Sequence, residues 1–288
     1  MSAGTILSVR DLSLSFKSWS DTSQVLHGID LDIAKGERVA LVGESGSGKS
    51  VTARIVLGTL RDLSTAQISG DVIFDGRDMN ALSREELRAL RGTEMSMIFQ
   101  DPTTALNPVY TIAVQFREVL RRTHPAISAE EALERSAKIL EEVSITDTAR
   151  VLESYPFQLS GGMNQRVMIG MALINEPKLI LADEPGTALD VTVQAQTLKL
   201  MRDLVVDHGT SVLFISHNLG VVREFADRIY VIYRGRIVEK GPTQAIFDNP
   251  RHAYTRALLA AIPRLTGGGI PDIQEVSEDF FDPMVAHD

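Results

Sequence analysis

The run Gly43-Glu44-Ser45-Gly46-Ser47-Gly48-Lys49-Ser50 fits the pattern G-x-x-x-x-G-K-[ST], a spacing that leaves a chain few folds to choose from. Glycines at these positions let the backbone curl until several N–H groups face one point, where they attract a phosphate. Lys49 is long enough to reach β- and γ-phosphates, and the Ser50 hydroxyl suits Mg²⁺. The flanks agree with this reading. Arg38 to Val42 is a short apolar run suited to a buried strand, and Val51 to Leu57 predicts a helix whose N-terminus faces the anion. Gly43 through Val51 is therefore the expected phosphate cradle of an α/β, P-loop NTPase fold.

Composition narrows the class. The chain has 288 residues, of which 44% are hydrophobic, enough to bury one large core with subdomains. A net charge of −9 argues against general nucleic-acid binding, which favours a basic footprint. The absence of cysteine excludes disulfides, thiolate metal sites and cysteine nucleophiles. No secretory signal is visible at Met1-Ser2-Ala3-Gly4-Thr5, and no apolar run approaches the ~18 residues that span a bilayer. The expectation is a soluble chain whose membrane role, if any, comes through a partner.

Periodicity orders the elements. Ile6-Val9, Leu12-Phe16 and Leu26-Ile33 alternate with period two and predict an antiparallel β layer ahead of the loop strand. From about Ser83 to Ala172 the pattern turns helical. Ser83 with Glu86, and Ser128 with Glu131, read as capping boxes. After Pro177 strands and helices alternate again: 179–182, 193–206, 212–215, then a hairpin from Ile229. The tail after Gly267-Gly268-Gly269 is acidic and aperiodic, and is expected to be loose or docked on a partner.

Three further motifs carry chemistry. Asp183-Glu184 ends the apolar run 179–182, so Asp183 suits Mg²⁺ and Glu184 suits a general base for a hydrolytic water. Ser160 can cap a helix while Gly161 and Gly162 leave amides free for a second anion contact. That is redundant for one nucleotide in one chain, and sensible if this surface faces the γ-phosphate held by another subunit. His217 follows the strand 212–215.

This set, in this order, resembles the ATP-binding cassette (ABC) ATPases over residues 5 to 265. The resemblance implies a P-loop core (1–241) with an antiparallel β subdomain and an inserted helical subdomain (about 102–172), followed by a C-terminal extension (242–288). It implies ATP and Mg²⁺ as cofactors. It assigns Gln100 to the Q-loop, which meets Mg²⁺ and couples to a membrane subunit, and Asp190, in Ala188-Leu189-Asp190, to the D-loop. It makes His217 the switch histidine on the γ-phosphate, and Phe16 the residue stacking on adenine, with Trp19 as rival. Met163 stands where the broad family has Gln, which moves a polar signature contact toward Asn164 or Gln165. Gly186 stands where close relatives have Thr, which loosens the loop after Pro185. Phe99–Pro108, Gly162–Ile169, Thr187–Gln196 and Asn249–Leu259 look like oligopeptide/dipeptide permease ATPases, with Met163 and Thr103-Thr104 favouring the D-type subunit. The cysteine-rich iron–sulfur segment of many such subunits is absent. The implied function is the ATPase of an importer for peptides, or for nickel, glutathione or a sugar. It would sit peripherally on the cytoplasmic face of the cell membrane. Its expected partners are an F-type subunit or a second copy, two membrane-spanning permease subunits and an extracytoplasmic solute-binding protein. The rival readings are a non-transport cassette ATPase of DNA repair or translation, a nucleotide-gated module without hydrolysis, and an exporter ATPase.

Overall fold

The computed structural model describes residues 4–19, 21–186, 190–261, 280 and 282–287. They form two compact units, one built from residues 1–82 with 213–288 and the other from 83–212.

The first unit opens with β1 (Thr5–Lys17) and β2 (Thr22–Ala34), paired antiparallel. Alternation at 6–9 and 12–16 predicts two pieces, and the structure joins them into one strand through an irregularity between Val9 and Leu12. Asp11 there has φ +47. The extra residue switches inward parity, so Leu7, Val9, Leu12 and Leu14 are all buried. Gly70 makes room for it, since a Cβ at that position would stand 2.3 Å from the Asp11 carbonyl oxygen. β3 (Arg38–Val42), α1 (Lys49–Val56), β4 (Ala66–Phe74) and β5 (Arg77–Asp78) follow, giving an antiparallel sheet ordered β2-β1-β4-β5.

The second unit runs through α2 (Arg84–Leu90), β6 (Met95–Ile98), α3 (Pro102–Ala105), α4 (Ile112–Leu120) and α5 (Ala129–Glu142). It continues with α6 (Thr148–Glu153), a 3₁₀ turn at Pro156–Gln158, α7 (Gly161–Leu173), β7 (Leu179–Asp183) and α8 (Val191–Asp207). At α2 the capping box is complete, with Glu86 N–H donating to Ser83 Oγ and Ser83 N–H to the Glu86 carboxylate. At α5 only half of it forms. Ser128 accepts from Glu131 N–H, while the Glu131 carboxylate pairs with Arg135 one turn on, at 2.9 Å. β6 and β7 pair in parallel, Ile98 opposite Ala182, so the residues just after the two strands emerge together.

The chain returns to the first unit within β8 (Ser211–Ser216), followed by α9 (Leu219–Phe225), β9 (Arg228–Tyr233), β10 (Arg236–Pro242), α10 (Thr243–Asp248), α11 (Ala253–Ala260) and β11 (Val285–Ala286). The strand order here is β11-β10-β9-β3-β8. Arg234 and Gly235, at φ +43 and +76, make the tight β9–β10 turn. Arg228 ties this sheet to β2. Its guanidinium donates to Glu37 at 2.7 Å, Asp32 at 3.0 Å and the Tyr230 hydroxyl at 3.0 Å, and that hydroxyl donates to Asp32 at 3.1 Å. Burial works against Asp32 ionising, but Arg228 beside it holds the carboxyl below the ordinary range. Burial pushes the Tyr230 hydroxyl up to about 12.

Of the tail expected to be loose or docked on a partner, only 280 and 282–287 are among the described residues, and the rest lies outside them. Residues 282–287 lie on the chain's own sheet, with β11 parallel to β10. The fastener is Glu239, which is fully buried. Its carboxylate accepts from Arg251 N–H at 2.8 Å and His252 N–H at 3.0 Å, and lies 2.7 Å from His287 Nε2. Gly241 allows the approach, since a Cβ there would stand 2.7 Å from that of His287. Glu239→Ala is expected to strand these donors and cost about 2–4 kcal/mol. A thermal melt should show a fall of roughly 5 °C or more.

Candidate active site

In the first unit the phosphate loop is pinned from every side. Its first glycine sits against β9, where a Cβ on Gly43 would lie 2.1 Å from the Ile232 carbonyl oxygen. Gly48 has φ +106, and a Cβ there would meet Leu26 of β2 at 2.5 Å. Larger residues are excluded at both positions by packing as well as by backbone shape. Gly46, at φ +79, has open space around it. The Ser47 carbonyl accepts from Gly235 N–H at 3.0 Å, so the β9–β10 turn supports the loop from behind. Thr52 Oγ1 donates to the Gly48 carbonyl at 2.9 Å. Lys49 is 4% exposed, and its ammonium donates to the carbonyls of Gly43 at 2.8 Å and Glu44 at 2.6 Å.

This arrangement fits a nucleotide phosphate. α1 begins at Gly48 without a side-chain cap and without an acidic residue in its first turn. A helix start of that kind, behind a buried cation, is an anion site. Ser50 and Val51 lie in the first turn of the same helix. His217 is exposed directly after β8, and Asn218 behind it caps α9 by accepting from Gly220 N–H at 3.1 Å. Phe16 is half-buried near the end of β1, and Trp19 is fully exposed.

In the second unit the parallel pairing of β6 and β7 brings two expected residues together. Gln100 Nε2 donates to Glu184 Oε2 at 3.0 Å, across 84 residues of sequence. Asp183 is buried at 6% exposure. Glu184 has φ +49, a left-handed conformation costing a non-glycine residue about 1–3 kcal/mol. Such strain gathers where a side chain must be aimed, and here it sets the carboxylate toward Gln100. Just beyond, Asp101 caps α3, and hydrogen bonds from the Thr103 hydroxyl and amide hold its carboxyl below the ordinary range.

The start of α7 has Ser160 as its cap, accepting from Met163 N–H at 3.3 Å, with Gly161 exposed and Gly162 half-buried. The expected move of a polar contact to Asn164 or Gln165 does not occur. Asn164 is 3% exposed and donates inward to the Pro156 carbonyl at 2.9 Å, and Gln165 is fully buried. Both lie on the inner face of α7, out of reach of an outside ligand. The loop after Pro185 that Gly186 is expected to loosen runs on through 187–189, outside the described residues. The Gly186 φ of +99 is one a threonine would strain to adopt, and a Cβ would stand 3.2 Å from Gln194 Cγ, so the glycine shapes the turn. Asp190 caps α8, accepting from Val193 N–H at 3.0 Å, while Ala188 and Leu189 lie outside the described residues. Among the described residues, no cluster of three or more His, Cys, Asp or Glu side chains gathers to hold a metal.

Sequence reasoning missed Tyr254. Its hydroxyl accepts from Glu44 N–H at 3.0 Å, 210 residues away. The available signal was an aromatic with a polar tip inside a short helix, and nothing in its spacing pointed to the loop.

The ABC transporter family model matches residues 26–187, and the model for the oligopeptide/dipeptide transporter C-terminal region matches residues 238–278. The chain is 52% identical over 259 residues to the peptidoglycan transport ATP-binding protein YejF of Agrobacterium fabrum, covering 90% of this chain and 47% of that protein, about half its length. It is 45% identical over 271 residues to the oligopeptide transport ATP-binding protein OppD of Bacillus subtilis, covering 94% of this chain and 75% of that protein. Among solved structures, the dimeric ATP-binding cassette MJ0796 in a post-hydrolysis state with ADP and Pi superposes with a TM-score of 0.73 at 29% identity, over 83% of this chain and 99% of that one. A glycine loop closed on a buried lysine, a strained carboxylate after β7 and a family match over more than half the sequence lead to one conclusion: the chain belongs to the ABC transporter family.

Proposed function

We propose that this chain is the ATP-hydrolysing subunit of an ABC importer that takes up peptides. The observation that carries the ATPase reading is the phosphate loop, with Lys49 buried and α1 left uncapped by side chains. Peptide as cargo is supported by the match of residues 238–278 to an oligopeptide/dipeptide transporter region and by the names of the relatives.

The site residues divide the work. Backbone amides from Gly43 to Val51, with Lys49, hold the phosphates, and Phe16 stacks on adenine. Ser50 of the first unit, and Gln100 and Asp183 of the second, are each proposed as Mg²⁺ contacts, and Mg²⁺ would supply neutralisation of charge developing on the transferred phosphoryl group. Glu184 orients and deprotonates the attacking water. Its bond with Gln100 lets a group at the Q-loop alter the aim of that carboxylate. His217 contacts the γ-phosphate. Ser160, Gly161, Gly162 and Asp190 act on the nucleotide held by a second ATPase subunit, whether an F-type chain or another copy.

Among the described residues no helix is long and apolar enough to cross a membrane. The proposed membrane partners are two permease subunits, fed by a solute-binding protein outside. Exposed apolar residues offer a docking face. Phe99 adjoins Gln100, Val109, Tyr110 and Val114 surround the start of α4, and Ile112 N–H bonds the Ser154 carbonyl beside the stacked pair Tyr155 and Phe157. The proposed location is peripheral, on the cytoplasmic face of the membrane.

In a steady-state assay, Glu184→Gln is expected to lower kcat by about 10²-fold or more while ATP binding persists. Turnover like that of the wild type would remove Glu184 from the role of base. Lys49→Ala should weaken ATP affinity by roughly tenfold or more in calorimetry, since a charge-assisted contact is lost. An unchanged affinity would count against the phosphate-loop reading. Reconstituted with its permease subunits, the protein should drive uptake of labelled peptide only when ATP is present.

A further inference from the structure

One peptide group in the phosphate loop is held at both ends. The carbonyl of Gly43 accepts from Lys49 Nζ at 2.8 Å, and the N–H of Glu44, in the same planar unit, donates to Tyr254 Oη at 3.0 Å. Because a peptide is flat and its C=O and N–H point opposite ways, turning one end turns the other. We propose that Tyr254 is a positioning residue for Lys49. Its hydroxyl fixes the Gly43–Glu44 peptide so that the carbonyl faces the ammonium and the lysine is ready to meet phosphate. This inference rests on the nucleotide reading of the loop.

Tyr254 is built to hold still. It is fully buried, with its ring against Tyr233 at 4.3 Å between centroids and against the edge of Phe280 at 5.5 Å. Burial pushes its hydroxyl above the ordinary phenol range, so it stays neutral. The first turn of α11 carries it, and that turn is anchored twice. Glu239 accepts the amides of Arg251 and His252, and Tyr254 N–H donates to His252 Nδ1 at 3.2 Å. Tyr233, which supports the ring, directly follows Ile232, whose carbonyl oxygen abuts Gly43. The C-terminal region and β9 thus grip the same peptide from two directions.

The alternative is that the tyrosine only fills space. Tyr254→Phe separates the two, since it keeps the ring and removes the hydrogen bond. With the full chain, the Kd for ATP is expected to rise about three- to tenfold, the scale of one lost hydrogen bond. The melting temperature without nucleotide should stay within about 3 °C of wild type. Hydrogen exchange at the Glu44 amide should quicken. An ATP Kd within twofold of wild type, alongside the weakened binding of Lys49→Ala, would overturn the proposal and leave the nucleotide reading intact. A lowered melting temperature with unchanged Kd and unchanged Glu44 exchange would also overturn it, leaving a packing role. Failure of the wild-type chain to bind ATP would sink the nucleotide reading and this inference together.

Discussion

A buried ammonium organises the first unit. Lys49 is almost wholly removed from water and needs oxygen atoms around it. The loop curls back to provide two of them from Gly43 and Glu44. That curl forces glycine at 48, where φ is positive and Leu26 crowds in, and at 43, where the Ile232 carbonyl leaves no room for a Cβ. Strands β2 and β9 are consequently fixed in place against the loop. The Arg228 contacts to Asp32 and Glu37 then secure β9 to the β2–β3 connection. Much of this unit's packing serves to keep one short stretch of backbone in a shape it would not hold by itself.

The second unit makes a comparable arrangement with a carboxylate. Parallel pairing of β6 and β7 decides that Gln100 and Glu184 meet. The left-handed backbone at Glu184 then decides which way the carboxylate points. An aim set by strain is cheap to disturb, which suits the proposed role of Glu184 as a base that responds to a partner.

Local features were legible in the sequence. The loop spacing, the Ser83–Glu86 box and the apolar runs at 38–42 and 179–182 are each fixed by neighbours a few residues away, where period and capping rules apply. What stayed hidden depends on distant partners or on parity. The bulge at Asp11 lies between the runs 6–9 and 12–16, and nothing in either run marks it. Asn164 and Gln165 read as surface amides because they follow a glycine turn, yet the rotation of α7 carries them inside. Glu239 sits in a polar stretch, Arg236-Ile237-Val238-Glu239-Lys240, that gives no hint of burial. Its partners lie in segments without periodicity of their own.

The Glu239 fastener bears on the order in which this molecule comes into being. Arg251 and His252 follow it by 12 and 13 residues, but His287 follows by 48. Tyr254 reaches back 210 residues to Glu44. At ~5–20 residues per second, roughly 10–40 s of synthesis separate the phosphate loop from the residue that braces it. Until then the nascent loop has its glycines and its lysine without the phenol behind them. The cradle is made well before the residue that finishes it.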